Sequence, residues 1–125
     1  MGDYSDERRK TLIVVRRAPY GSSLSRASLD AALALAAFDQ RVDILFMGDG
    51  VLHLLPDQMS SEIGAKNVGK LLASLPLYDI DSIHLDSNAA DQYQIDTAHL
   101  PLTAHRLDNA GITLLLAEYD HLLGF

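Results

Sequence analysis

The sequence predicts an α/β domain of three layers, an α/β/α arrangement around a central, mostly parallel five-stranded sheet. Two short runs, "TLIVV" at 11–15 and "RVDILFM" at 41–47, are continuously or nearly continuously apolar, the pattern of strands buried on both faces. Between them lies an alanine-rich segment, 24–39, free of glycine and proline. Strand, helix and strand over this span make a βαβ unit, whose crossover is right-handed. The same alternation then continues along the chain with short connections.

The first strand covers 11–15, and "RRAPYGSS" follows as a loop punctuated by Pro19 and Gly21. In the helix predicted over 24–39, Leu29, Leu33 and Ala36 share one face, and Ala31, Leu35 and Phe38 another. So wide an apolar arc predicts a largely covered helix. The second strand occupies about 42–47, and 51–55 reads as a single helical turn. A loop over 56–64 leads to a second helix, 65–75, despite Gly69, which costs about 1 kcal/mol against alanine. A third strand falls near 82–85, followed by a turn at Asp86, Ser87 and Asn88 and a short helix around 89–94. Residues 99–107 fit either a fourth strand or a short helix. The pattern of "AGITLLLAEYD" is equally ambiguous, but Asp108 or Asn109 is placed to cap a helix running to Tyr119, and strand–helix alternation favours that helix. The ending "HLLGF" supplies a fifth strand.

A chain of 125 residues with 48% apolar content suits one domain over 10–125 with its own core. Residues 1–9 read as a polar, loose tail with no apolar stretch of a secretory signal. There is no cysteine, which excludes disulfides and any thiol chemistry of the chain's own. No apolar run reaches the length of a membrane span. A net charge of −7 argues against direct, strong binding to a nucleic acid backbone. The basic residues cluster only at Arg8, Arg9 and Lys10 and at Arg16 and Arg17.

Gly48-Asp49-Gly50 stands where the second strand delivers its carboxyl end, the edge at which open α/β sheets bind ligands. It lacks the Lys-Ser/Thr of a P-loop and the Gly-x-Gly-x-x-Gly spacing, and Asp49 would repel a phosphate, so a stand-alone nucleotide site here is the weaker reading. In the stronger, structural reading the glycines permit a tight exit from the strand. Asp49 then caps the turn beginning at Val51, for about 1 kcal/mol. His53, His84, His99, His105 and His121 form no His-x-His or His-Glu-x-x-His motif. His84 and Asp86 are two apart on one strand and point to one side, but zinc needs three or four protein ligands, so the spacing reads as chance. No Gly-x-Ser-x-Gly elbow holds a nucleophilic serine. Asp79 and Asp81 would serve acid–base chemistry only if buried together; in a turn they read as solvated. Tyr78, within "LPLYDI", suits a core edge or an interface. The apolar surplus of 24–39, together with Leu52, Leu54 and Leu55 just after the sheet edge, points to a subunit contact.

Taken together, "RRAPYGSSLSRASLDAALALAAF" (16–38), "FMGDGVLHLLPDQ" (46–58), "LPLYDID" (75–81) and "AEYDHLLGF" (117–125) resemble the TusC/DsrF family over about 10–125. The resemblance implies a DsrE/DsrF-like fold and a non-catalytic, structural subunit of a sulfurtransferase complex without cofactor or metal. The complex expected from it is a cytoplasmic heterohexamer with cysteine-bearing TusD-like and TusB-like subunits. It relays persulfide sulfur from a TusA-like donor to a TusE-like acceptor, toward 2-thiouridine at the tRNA wobble position. In a second branch of the family the complex serves dissimilatory sulfur oxidation. Gly48, Asp49, Gly50 and Val51, with Tyr78, Asp79 and Ile80, match as a structural signature. Many TusC-like chains carry a cysteine just after the third strand; here that place falls on Asp86.

Overall fold

Strand β1 (Lys10–Val15) pairs in parallel with β2 (Arg41–Phe46), Ile13 opposite Ile44 and Val15 opposite Phe46. The computed structural model describes residues 10–17, 30, 31, 34, 41–54, 72–78, 80, 82–98, 100 and 102–124. Strand β3 (Ser82–Asp86) lies beside β2, β4 (Thr103–Leu107) beside β3, and β5 (His121–Gly124) beside β1. The sheet order is β4-β3-β2-β1-β5, and every pairing in it is parallel. The ambiguous 99–107 segment therefore holds a strand.

The chain steps outward from β1 to β4 and then returns across the sheet to place β5 on the far side of β1. Right-handed crossovers put the outward connections on one face and the return on the other. The cores divide accordingly. On the first face Ile13, Val15, Ile44, Phe46, Ile83 and Leu85 pack with Val51, Leu54, Leu72, Leu75 and Ile80, and with Ala89 and Ala90 of a short helix, α1 (Ser87–Gln92). On the second face Leu12, Val14 and Leu45 meet Ile112 and Leu115 of α2 (Asn109–Ala117). Alternation along each strand produces this division, because neighbouring side chains point to opposite faces.

Helix α2 starts where the sequence placed it: the Asp108 carboxylate accepts from the Gly111 amide at 2.8 Å, a side-chain N-cap. Helix α1 starts earlier than expected. Asp86 is its N-cap, so Ser87 and Asn88 form its first turn and not a separate turn. The turn after β2 is a 3-10 segment, Gly48–Leu54. Of the two long predicted helices, Asp30, Ala31 and Ala34 are helical in the first and 72–74 in the second; the rest of both lies outside the described residues. Ala34 is exposed within the chain, so the first helix is not covered all round. A second 3-10 segment, Leu75–Tyr78, leads to Ile80, whose amide donates to the Leu75 carbonyl at 3.2 Å. Among the described residues no helix is long and apolar enough to cross a membrane.

Candidate functional site

The carboxyl ends of β1, β2 and β3 converge around the Gly48–Gly50 turn. Beyond β2, the Met47 amide donates to the Val15 carbonyl at 2.9 Å, and the Gly50 amide closes back on the Met47 carbonyl at 2.8 Å. Gly48 sits at φ +52°, in the left-handed region that favours glycine. Gly50 is required for a different reason: a Cβ there would lie 1.9 Å from the Val15 carbonyl oxygen. The turn is thus pressed against the end of β1, and Val51 and Leu54 behind it are wholly buried.

Leu54 is the point where the expected interface needs correcting. Its side chain is fully enclosed by the chain's own first-face core and offers nothing to a partner. Leu52 is half-buried, while Leu55, Asp79 and the Tyr78 side chain lie outside the described residues. Asp81 and His99 lie outside them as well.

The polar groups of this edge are engaged in holding it. The Asp86 carboxylate accepts from the amides of Asn88 at 3.1 Å and Ala89 at 3.3 Å, and its other oxygen accepts from the Gly48 amide at 3.4 Å. One carboxylate therefore caps α1 and ties the β2 turn to the end of β3. Asp49 does not cap the turn at Val51 as expected: its carboxylate accepts from no backbone amide among the described residues. Asp49 instead accepts the Tyr93 hydroxyl at 2.6 Å, which joins the turn to the carboxyl end of α1. That bond raises the Tyr93 phenol above its ordinary range and keeps it a donor.

His53 is buried beneath the turn with its ring against Phe46, centroids 5.9 Å apart. Burial lowers its proton affinity, partly opposed by a 2.9 Å hydrogen bond between Nε2 and the Arg17 carbonyl. In the neutral ring Nε2 is the donor of that bond, which anchors the chain leaving β1. Arg16 and Arg17 themselves are exposed. The edge contains no thiol, and its carboxylates cap and bond. It is built to hold geometry.

A second group of polar side chains lies on the other face of the sheet, toward the β4 edge. The register of β3 and β4 sets His84 directly opposite His105, and their rings stand 5.4 Å apart. Sequence reasoning paired His84 with Asp86 and missed His105, because only the strand register brings the two imidazoles together. The pair lines an open cleft of about 290 Å³ with Leu107, Leu114, Leu115 and Glu118. Burial lowers the His84 proton affinity; Asp43 opposes this, His105 adds to it and Glu118 opposes it. Asp43 is held on this face by the hydroxyl of Tyr119. Among the described residues no three His, Asp or Glu side chains gather as a metal site.

Comparison with known proteins agrees with this architecture. A family model described as DsrE/DsrF-like matches residues 9–125. The chain is 30% identical over 112 residues to a protein named TusC homolog from Pseudomonas aeruginosa, a match covering 90% of this chain and 94% of that protein. It superposes on the crystal structure of the ychN protein from E. coli with a TM-score of 0.78 at 25% identity, over 94% of this chain and 99% of that one. A conserved protein of unknown function from Bacteroides thetaiotaomicron shares the fold, with a TM-score of 0.67 at 12% identity over 100% of this chain and 99% of that one. The five-stranded parallel sheet between helical layers is the one seen in the ychN protein, and the chain belongs to the DsrE/DsrF-like family.

Proposed function

We propose that the chain is a TusC-like, non-catalytic subunit of a sulfur-relay complex, in which it shapes the assembly and positions a cysteine-bearing neighbour. The observation that carries this reading is the chemistry at Asp86. Persulfide transfer needs a thiolate to attack or accept the sulfane sulfur. The chain has no cysteine, and at the place matched to the family cysteine a carboxylate caps α1 and binds the Gly48 amide. A carboxylate oxygen does not carry sulfane sulfur, so in this reading the relay thiol belongs to a TusD-like subunit.

In the same reading residues 10–125 act as one domain in a cytoplasmic heterohexamer with TusD-like and TusB-like partners. TusA-like and TusE-like proteins deliver and collect the sulfur, which ends in 2-thiouridine at the tRNA wobble position. Similarity to a protein named TusC homolog supports the subunit assignment. The net charge of −7 supports contact with tRNA through other members of the complex. Leu52, Leu55 and Tyr78 remain the interface residues of this reading near the sheet edge.

The test is native mass spectrometry of the chain co-expressed with its genomic neighbours, beside the chain expressed alone. A 2:2:2 assembly is expected, in the stoichiometry of a dimer of heterotrimers. The isolated chain should neither accept nor release labelled persulfide sulfur. A monomer that ignores both neighbours, or catalytic sulfur transfer by the chain alone, overturns the proposal.

A further inference from the structure

We infer that the cleft between α2 and strands β3 and β4 receives an arginine side chain from a partner protein. This stands on the cleft's own geometry and does not require the sulfur-relay reading. The cleft's volume of about 290 Å³ is at the small end for ligand sites, suited to one long side chain and not to a cofactor.

Its polar lining carries acceptors that no described residue satisfies. Neither His84 nor His105 has a hydrogen-bond partner among the described residues, and the His84 Nδ1 is buried without one. Glu118 is exposed and has no ion-pair partner among the described residues. A neutral imidazole offers one acceptor nitrogen beside its N–H donor, and a carboxylate offers only acceptors. What these groups lack in common is a cationic donor. A guanidinium supplies five N–H groups in a plane, stacks on aromatic rings and sheds water more readily than an ammonium. Its aliphatic stem would lie along Leu107 and Leu115.

The occupant's backbone is indicated by Leu114, which is 68% exposed at the cleft. An apolar residue beside the arginine covers it. The partner's segment is therefore basic and apolar together, the complement of a chain with net charge −7. A metal ion is the less suitable occupant, because no third ligand joins the two imidazoles among the described residues.

The test uses the full chain and the capped dipeptide acetyl-Leu-Arg-amide, followed through the His84 and His105 imidazole resonances by NMR above neutral pH, with assignments from the single His→Gln variants. The expected result is saturable shifts of both rings in the millimolar range. The neutral counterpart with citrulline in place of arginine should bind about tenfold more weakly, the effect of losing a charge-assisted hydrogen bond. Glu118→Gln should bring the arginine probe to the citrulline level and leave citrulline binding unchanged. Acidification should release the arginine probe as His84 takes up a proton, the groups facing it being Asp43, His105 and Glu118. Equal binding of the arginine and citrulline probes overturns the inference, as does the absence of saturable shifts. Free L-arginine binding as tightly as the capped dipeptide overturns the assignment to a partner's side chain. Stoichiometric Zn²⁺ binding at the two imidazoles replaces the inference with a metal site.

Discussion

The two polar regions of this molecule are opposites. At the carboxyl edge of β1, β2 and β3, Asp86 serves three amides, Asp49 holds Tyr93, and His53 is fixed to the Arg17 carbonyl. On the opposite face, His84, His105 and Glu118 line a cleft without hydrogen bonds from their side chains to any described residue. An open α/β sheet usually binds its ligand at the first kind of place. In this chain the edge is bonded to itself apart from the buried His53 Nδ1, and three polar side chains with no hydrogen bond to a described residue lie to the side. Groups that stabilise a fold and groups that await a partner are told apart by what they already bond.

Substitutions can break or sharpen this contrast. The largest effect is expected from Gly50→Ala, since its Cβ would meet the Val15 carbonyl oxygen at 1.9 Å and the backbone must move. A loss of about 3 kcal/mol, read from the urea midpoint, is the expected cost of overpacking so rigid a contact. Next, Asp86→Ala removes the cap of α1 and the tie to Gly48, for about 1 kcal/mol; Asp86→Asn should recover most of it.

A smaller effect should appear on acidification. His53 and His84 both have proton affinities lowered mainly by burial. The unfolded chain then binds more protons than the folded one just below the ordinary histidine value. Stability is therefore full above about pH 6.5 and falls as the pH drops below it, before the carboxylates titrate. Denaturant midpoints at stepped pH check this, and His84→Gln should flatten part of the slope. Smallest of all, Glu118→Gln should change stability by less than about 0.5 kcal/mol, because the exposed carboxylate makes no hydrogen bond or ion pair to a described residue. If Glu118→Gln destabilises the chain as much as Asp86→Ala does, the contrast between the two regions is broken.

Much of the fold was legible because it follows from local pattern. Apolar runs marked β1 and β2, and strand–helix alternation, with Asp108 or Asn109 placed to cap, favoured a helix for the segment after them. The glycine turn was legible too, though not the reason for Gly50, which depends on how near β1 passes. What could not be read were bonds between distant residues. Asp49 and Tyr93 are 44 positions apart, and the carboxylate that reaches the Gly48 amide comes from 38 positions away. His84 and His105 meet only because β3 and β4 run parallel in one particular register. Leu54 looked like surface in a short apolar run, but the tightness of the turn carries it into the core.

The return of the chain to β1 has a kinetic consequence. The Asp120 amide donates to the Lys10 carbonyl, and the Asp120 carboxylate accepts from the Lys10 amide, across 110 positions of sequence. β1 lies inside the sheet, yet one of its two flanks is paired only by β5. During synthesis that flank waits for almost the whole chain to be made. Closure then links segments at the longest sequence separation in the sheet, the kind of contact that slows folding most. Until it forms, β1 presents an apolar strand with an unpaired flank, the element most prone to pair with the wrong chain.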